Sequence, residues 1–155
     1  MAAHSKPDPK PDSKPFSRAE WCAFLNRMLE AERAGARALL EYLGEHERKS
    51  EGWKVLRKVQ GNEAHNCVLL GDLLKRAGEP YSHATGEFLD KALAVQGRRK
   101  RLEFLCRGLG WSVREIENAL PRVTDAKGGE VLGMIRDAHR ESIENCEVMA
   151  KTLQD

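Results

Sequence analysis

The sequence predicts an all-α protein, a four-helix bundle, and three observations support this. Apolar residues recur at steps of three and four along four long segments, which is the spacing of one helix face. No segment shows the alternation of a half-buried β-strand. The 155 residues suit one domain, with 41% hydrophobic and 32% charged residues. Four amphipathic helices that each need a partner predict a bundle.

The chain divides into a tail, residues 1–15, and one helical domain, residues 16–155. The tail holds four of the six prolines, alternating with lysine and aspartate. Proline lacks an amide donor and the charged residues bury nothing, so we expect an extended, mobile segment.

The first helix is predicted over roughly residues 17–48. Ser17 and Glu20 form the pattern of a capping box, and Gly44 offers an earlier end than Arg48. Its core face comprises Trp21, Leu25, Met28, Glu32, Ala36, Leu39 and Leu43.

The second helix is predicted over roughly residues 50–77, with Ser50 as its cap. Gly78 and Pro80 end it, because glycine takes the left-handed conformation and proline cannot continue a helix. Its core face comprises Trp53, Leu56, Gln60, Glu63, Cys67, Leu70 and Leu74.

A long connection follows. Apolar residues predict a short helix near residues 88–95, within a connection over residues 79–97. About nineteen residues, half of them helical, span about 40 Å, which is enough to run the length of a bundle. This single long crossover lets the third helix start at the same end as the second.

The basic run 98–101 bears on where the third helix begins. Four cations are unfavourable at a helix N-terminus, which favours a helix that begins near Gly86 and includes Gly97. The run lacks interleaved aromatic residues, and the net charge is only +2, so we expect a solvated face and no nucleic-acid partner; strongly salt-dependent RNA binding through residues 98–101 is the weaker alternative.

The last two long helices complete the bundle. The third ends near Pro121 and the fourth is predicted over roughly residues 126–153. Their core faces comprise Leu102, Leu105, Leu109, Val113, Ile116 and Leu120, and then Leu132, Ile135, His139, Ser142, Cys146, Met149 and Leu153.

Three ionisable residues occupy core positions near the midpoints of their helices: Glu32, Glu63 and His139. A buried carboxylate must be paired, protonated or bound to a metal. Because all three face inward at one level, they can converge, and this donor set suits iron, manganese or zinc. At the same level the third helix offers Leu109 and Gly110, which leave room for a small-molecule ligand, for water or for close helix packing.

Four segments resemble the ferritin-like superfamily, and in particular a small uncharacterised bacterial branch of it. They are LEAERAGA at residues 29–36, NEAH at 62–65, FLCRGLGW at 104–111 and DAHR at 137–140. The resemblance covers residues 17–153. It implies a four-helix bundle with one long crossover and a metal site at mid-bundle.

The sequence departs from the di-iron pattern of that superfamily, which the resemblance ties to Glu-x-x-His on the second and fourth helices. Asn66 stands where the second-helix histidine would be, and Arg136 where the fourth-helix glutamate would be. Glu103 and Glu117 lie about two turns off level, and His65 points away from Glu63's face. The resemblance therefore implies a reduced or mononuclear site, without inherited oxygenase activity.

Two functions remain open. The first is a polar mid-bundle site that binds a metal, with a redox or oxygen-related role. The second is a metal-free protein-interaction module with a buried structural network, in which Glu32 or Glu63 pairs with Arg37, Arg107 or Arg114 and His139 hydrogen-bonds a carboxylate. An exposed apolar residue off the core faces would favour the module. No catalytic residue is assigned.

Composition sets expectations for location and partners. There is no apolar run of membrane-spanning length and no secretory signal, so we expect a soluble cytoplasmic protein, and the resemblance implies a bacterial one. The four cysteines form no CxxC pair and are expected to be free, buried thiols. A homodimer stays open, although no heptad face is left over for it.

Overall fold

The computed structural model describes residues 14–154. The helices are α1 Arg18–Leu43, α2 Glu51–Arg76, α3 Phe88–Ala94, α4 Arg98–Ala119 and α5 Ala126–Ala150, with a short 3-10 helix over Leu120–Arg122. This part of the chain contains no strand. The all-α class is confirmed. The predicted tail lies outside the described residues, apart from Lys14 and Pro15.

The helix starts follow the capping residues of the sequence. The Ser17 hydroxyl accepts a hydrogen bond from the Glu20 amide at 3.1 Å, and the Glu20 carboxylate accepts one from the Ser17 amide at 3.0 Å. The Ser50 hydroxyl accepts from the Trp53 amide at the start of α2. Of the two predicted ends, α1 takes the earlier one, at Gly44.

The prediction that one helix runs through Gly97 is wrong. Gly97 has φ +93° and separates α3 from α4. The basic residues are tolerated at the start of α4 partly because Arg101 folds back. Its guanidinium donates to the Val95 carbonyl at 2.7 Å, lies over the Tyr42 ring and pairs with Glu45. Arg101 is therefore part of the packing, which corrects the expectation of a solvated face for the whole run.

Two apolar clusters give the directions of the helices. The first cluster includes Leu25 of α1, Leu74 of α2, Ile116 of α4 and Leu132 of α5. The second includes Leu39 of α1, Leu56 of α2, Leu105 of α4 and Cys146 of α5. The early residues of α2 and of α4 therefore lie at the same end, and the segment between these helices crosses the length of the bundle. The predicted single crossover, with its short helix, is confirmed.

The remaining expectations about the chain concern membranes and cysteines. No helix within residues 14–154 is long and apolar enough to cross a membrane. All four cysteines are free; Cys22 and Cys146 are buried, whereas Cys67 and Cys106 are half-buried. The expectation of free thiols is confirmed, and that of full burial is right for two of them.

Candidate metal site at the middle of the bundle

A layer of polar side chains separates the two apolar clusters. Within the described part of the chain, the buried polar residues are Glu32, Glu63, Asn66, Ser112, His139 and Ser142. Along each long helix these positions fall between the residues of one cluster and those of the other. The layer is thus at mid-bundle, where the helix midpoints of the sequence predicted it.

The three predicted ligands come together within this layer. Glu32 lies on α1, Glu63 on α2 and His139 on α5, and each is at most 3% exposed. Each offers one ligand atom, and these atoms all lie within 4.8 Å of one another. We call Glu32, Glu63 and His139 the mid-bundle trio.

Glu32 is held as a carboxylate by donors on two helices. His139 Nε2 lies 2.6 Å from Glu32 Oε1, and Asn66 Nδ2 donates to Glu32 Oε2 at 3.3 Å. Burial is the largest single influence and raises the pKa of Glu32, but the nearby charge of His139 and the hydrogen bonds to this carboxylate together lower it below its usual value. These hydrogen bonds come from Glu63, His139 and Asn66.

Glu63 has the opposite protonation preference. Burial raises the pKa of Glu63 well above its usual value, and the negative charge of Glu32 raises it further. The two carboxyl groups share a hydrogen bond. Without a metal, Glu63 is therefore the protonated partner, and it donates to Glu32.

Glycine at position 35 makes room for the Glu63 carboxyl group. A Cβ at Gly35 would lie 3.1 Å from Glu63 Cδ and 3.2 Å from Glu63 Oε2, closer than side-chain carbons normally approach. The glycine of the LEAERAGA segment thus allows α1 and Glu63 to approach closely.

The fourth side of the layer, on α4, carries no metal ligand among the described residues. Its buried polar residue at this level is Ser112, one turn beyond the predicted Leu109 and Gly110. Glu103 and Glu117, which the sequence placed off this level, are exposed and pair with Arg99 and Arg140. His65 of α2 is exposed as well.

The alternative arginine partners of the trio are not used. Arg37, Arg107 and Arg114 are exposed, and the partners of Glu32 are the polar residues of the layer. The expected arginine pairing is therefore wrong, because the imidazole and the amide already satisfy the carboxylate, whereas the expected hydrogen bond between His139 and a carboxylate is present.

Asn66 and Ser112 are members of the layer that the sequence did not identify. Asn66 stands three residues after Glu63, so it shares the face of that ligand. At this i, i+3 position the sequence has asparagine where the di-iron pattern has histidine. The position could therefore have identified Asn66 as a hydrogen-bond donor on the second helix. For Ser112 no signal stands out, because a lone serine beside an apolar face is common.

The nearest cysteines are protonated thiols. Burial raises the pKa of Cys67 to about 11, and the charge of Glu32 adds to this effect. A hydrogen bond with Cys106 raises the pKa of Cys146 above its usual value. Both thiols fill space beside the trio, as expected for small hydrophobic residues.

A family model describing a domain of unknown function, DUF6306, matches residues 19–148. The chain belongs to this family. The DUF6306 match includes all three residues of the mid-bundle trio. No curated protein matches the chain.

A solved structure with a similar fold is a two-domain protein from Anabaena variabilis ATCC 29413, which contains DJ-1/ThiJ/PfpI-like and ferritin-like domains. The TM-score is 0.69 at 17% sequence identity, and the match covers 89% of this chain and 38% of that one. At this identity the likeness concerns the fold alone. The DUF6306 chain has the ferritin-like fold that its segments predicted.

Proposed function

We propose that this DUF6306 domain binds one divalent iron, manganese or zinc ion between Glu32, Glu63 and His139. The observation that carries the proposal is the convergence of three ligand atoms within 4.8 Å inside the core. Ligands that share an ion at about 2.0–2.2 Å lie at most about 4.4 Å apart. Small side-chain movements are therefore enough for all three to reach one ion.

The charges of the site support a cation. Two carboxyl groups that share a hydrogen bond in a core need either a proton or a cation between them. A divalent ion balances both carboxylates and takes the lone pair of a neutral imidazole. Carboxylate and imidazole together are donors that iron, manganese and zinc accept.

The surroundings of the trio would orient its members. Asn66 holds Glu32 from α2, as outer hydrogen-bond partners do in metal sites. Three protein ligands leave coordination positions open, which is the pattern of catalytic rather than structural sites. Iron or manganese bound there would supply redox or oxygen-related chemistry.

The test is a metal titration of chelator-treated protein with Zn²⁺ and Mn²⁺, and with Fe²⁺ without oxygen. We expect one equivalent to bind and to raise the unfolding temperature by mass action. Loss of an outer partner costs a site 10–100-fold in affinity, so Glu63→Gln, which removes a ligand, should cost at least about 100-fold. Glu41→Gln, an exposed change on α1, is the matched control and should bind as the original chain does.

Absence of binding by all three ions, or equal binding by the Glu63→Gln variant, would overturn the proposal. The second candidate, the metal-free interaction module, would then stand. It is favoured by two observations within the described residues. Every buried side-chain polar atom already has a hydrogen-bond partner. Large apolar side chains are exposed on three helices, at Leu40, Val68, Met134 and Val148.

A further inference from the structure

A cavity of about 260 Å³ lies between α1 and α4 and reaches Glu63 of the mid-bundle trio. Its walls are mainly apolar, with Ala31 and Gly35 from α1 and Leu105, Leu109 and Trp111 from α4. A cavity of about 150 Å³ with such a lining accepts benzene. The space is therefore large enough for a benzene ring that carries a substituent.

Burial increases from the mouth of this cavity to its floor. Arg27, Gly86 and Glu87 line it and are exposed, so they form the mouth. Glu63 and Ser112 line it and are buried, at 3% and 5% exposure, so they form the floor. The cavity is thus apolar along its length and polar at its closed end, which is typical of a small-molecule site.

The charged groups at the mouth already have partners in the protein. Arg27 donates to Glu115 at 2.6 Å, and Glu30, which also lines the cavity, accepts from the Ser82 hydroxyl at 2.5 Å. Among the described lining residues Arg27 is the cationic one, and it is exposed at the mouth and paired with Glu115. The cavity therefore offers no cation to an anionic head group beside Glu63.

We propose that this cavity binds a small, mainly apolar molecule that carries a neutral oxygen group, a hydroxyl or a carbonyl, and that this oxygen contacts Glu63 and Ser112. Gly35 contributes because a Cβ there would cover the Glu63 carboxyl group from α1. The proposal deepens the proposed function, since the oxygen would lie beside the metal ligands, but the apolar cavity needs no metal to bind the molecule.

The proposal is tested by NMR of the ¹⁵N-labelled protein, which shows one indole signal for each of the three tryptophans. The signal that is absent from the Trp111→Phe variant is assigned to Trp111. The probes are benzyl alcohol, toluene and benzoate, added to chelator-treated protein. We expect benzyl alcohol to shift the Trp111 signal and to leave the Trp21 and Trp53 signals in place, since Trp111 lines the cavity and the other two do not. One hydrogen bond is worth about fivefold in affinity, so toluene should bind about fivefold more weakly, and benzoate more weakly still.

Two variants locate the site. Ala31→Leu fills the cavity and should abolish the Trp111 shift, whereas Ala36→Leu, a half-buried alanine of α1 outside the cavity lining, should not. Ser112→Ala should remove part of the preference for benzyl alcohol over toluene. If Ala31→Leu fails to fold, the order of the three probes on the original chain decides alone.

The proposal is overturned if Trp111 does not shift, if all three tryptophans shift together, or if toluene or benzoate equals benzyl alcohol. Its failure is separable from that of the proposed function. Binding of benzyl alcohol without any metal binding rejects the metal site and supports the cavity. Metal binding without a Trp111 shift supports the metal site and rejects ligand binding in the cavity.

Discussion

Glu32 and Glu63 are the same amino acid in one buried layer, yet their surroundings favour different protonation states. Glu32 receives hydrogen bonds from His139 and Asn66, which stabilise its charge. For Glu63, burial and the charge of Glu32 raise its pKa, so it carries a proton in the metal-free protein. The pair behaves as a single site with one shared proton.

This difference predicts unequal effects of two conservative substitutions on metal-free protein. Glu63→Gln keeps a donor toward Glu32 and should change the free energy of unfolding by less than about 1 kcal/mol. Glu32→Gln replaces the carboxylate that both His139 and Asn66 contact by an amide with only one acceptor oxygen, which leaves a buried polar group unpaired and should destabilise by about 1–3 kcal/mol. Urea unfolding with a chelator present measures both, and equal losses would contradict the assignment.

The mid-bundle trio could be predicted from the sequence because ionisable residues are rare on the apolar face of a helix. Glu32, Glu63 and His139 also lie near the midpoints of their helices, which places them at one level of the bundle. The sequence pattern missed Asn66 and Ser112, which are neutral and small. Whether such a residue faces the core depends on rotations of tens of degrees about the helix axis, which a repeat of three and four residues does not resolve.

At the scale of elements, local chemistry decided how well each helix could be predicted. Ser17 and Ser50 begin α1 and α2 because their hydroxyls accept from free amides of the first turn. The start of α4 was predicted wrongly, since Arg101 turns back onto the Val95 carbonyl and Tyr42. This contact is tertiary, so the local sequence rules for helix ends do not predict it.

The start of α1 makes a pH-dependent contribution to stability. Hydrogen bonding to the Ser17 backbone, with the nearby Arg122 side chain, lowers the pKa of Glu20 from 4.5 to about 2. A carboxyl whose pKa is lowered by folding stabilises the protein above its unfolded pKa, and this contribution is lost as the pH falls through the folded pKa.

We therefore expect Glu20→Gln to be less stable than the original chain at pH 7, with a difference that shrinks between pH 4.5 and pH 2. Thermal unfolding across this range measures it, with the exposed α1 change Glu41→Gln as the control. A difference that persists unchanged down to pH 2 would show that the Glu20 charge does not support the helix start.

On the scale of the whole molecule, the bundle consists of two apolar clusters with a polar layer between them. The clusters supply the hydrophobic burial that stabilises the fold, so the layer can hold buried charges at a local cost. α1, α2 and α5 contribute the trio, and α4 contributes Ser112 and the wall of the cavity. The candidate ligands of the DUF6306 chain thus come from three helices, whereas a di-iron site takes ligands from all four helices of its bundle.

The topology could be predicted because the connection between α2 and α4 is long enough to cross the bundle. The cavity could be anticipated only as room beside Leu109, since its walls come from segments far apart in the sequence. The homodimer, the bacterial origin and the cytoplasmic location stay predictions from composition and resemblance.

Anomalous X-ray diffraction from crystals grown with Mn²⁺ locates any bound ion among the side chains of the bundle. If Glu32, Glu63 and His139 hold one metal ion, we expect one strong anomalous peak per chain, about 2.0–2.2 Å from an oxygen of each glutamate and from a nitrogen of His139. An ordered trio without a peak, with Glu32 still bonded to His139, would contradict the proposed metal site.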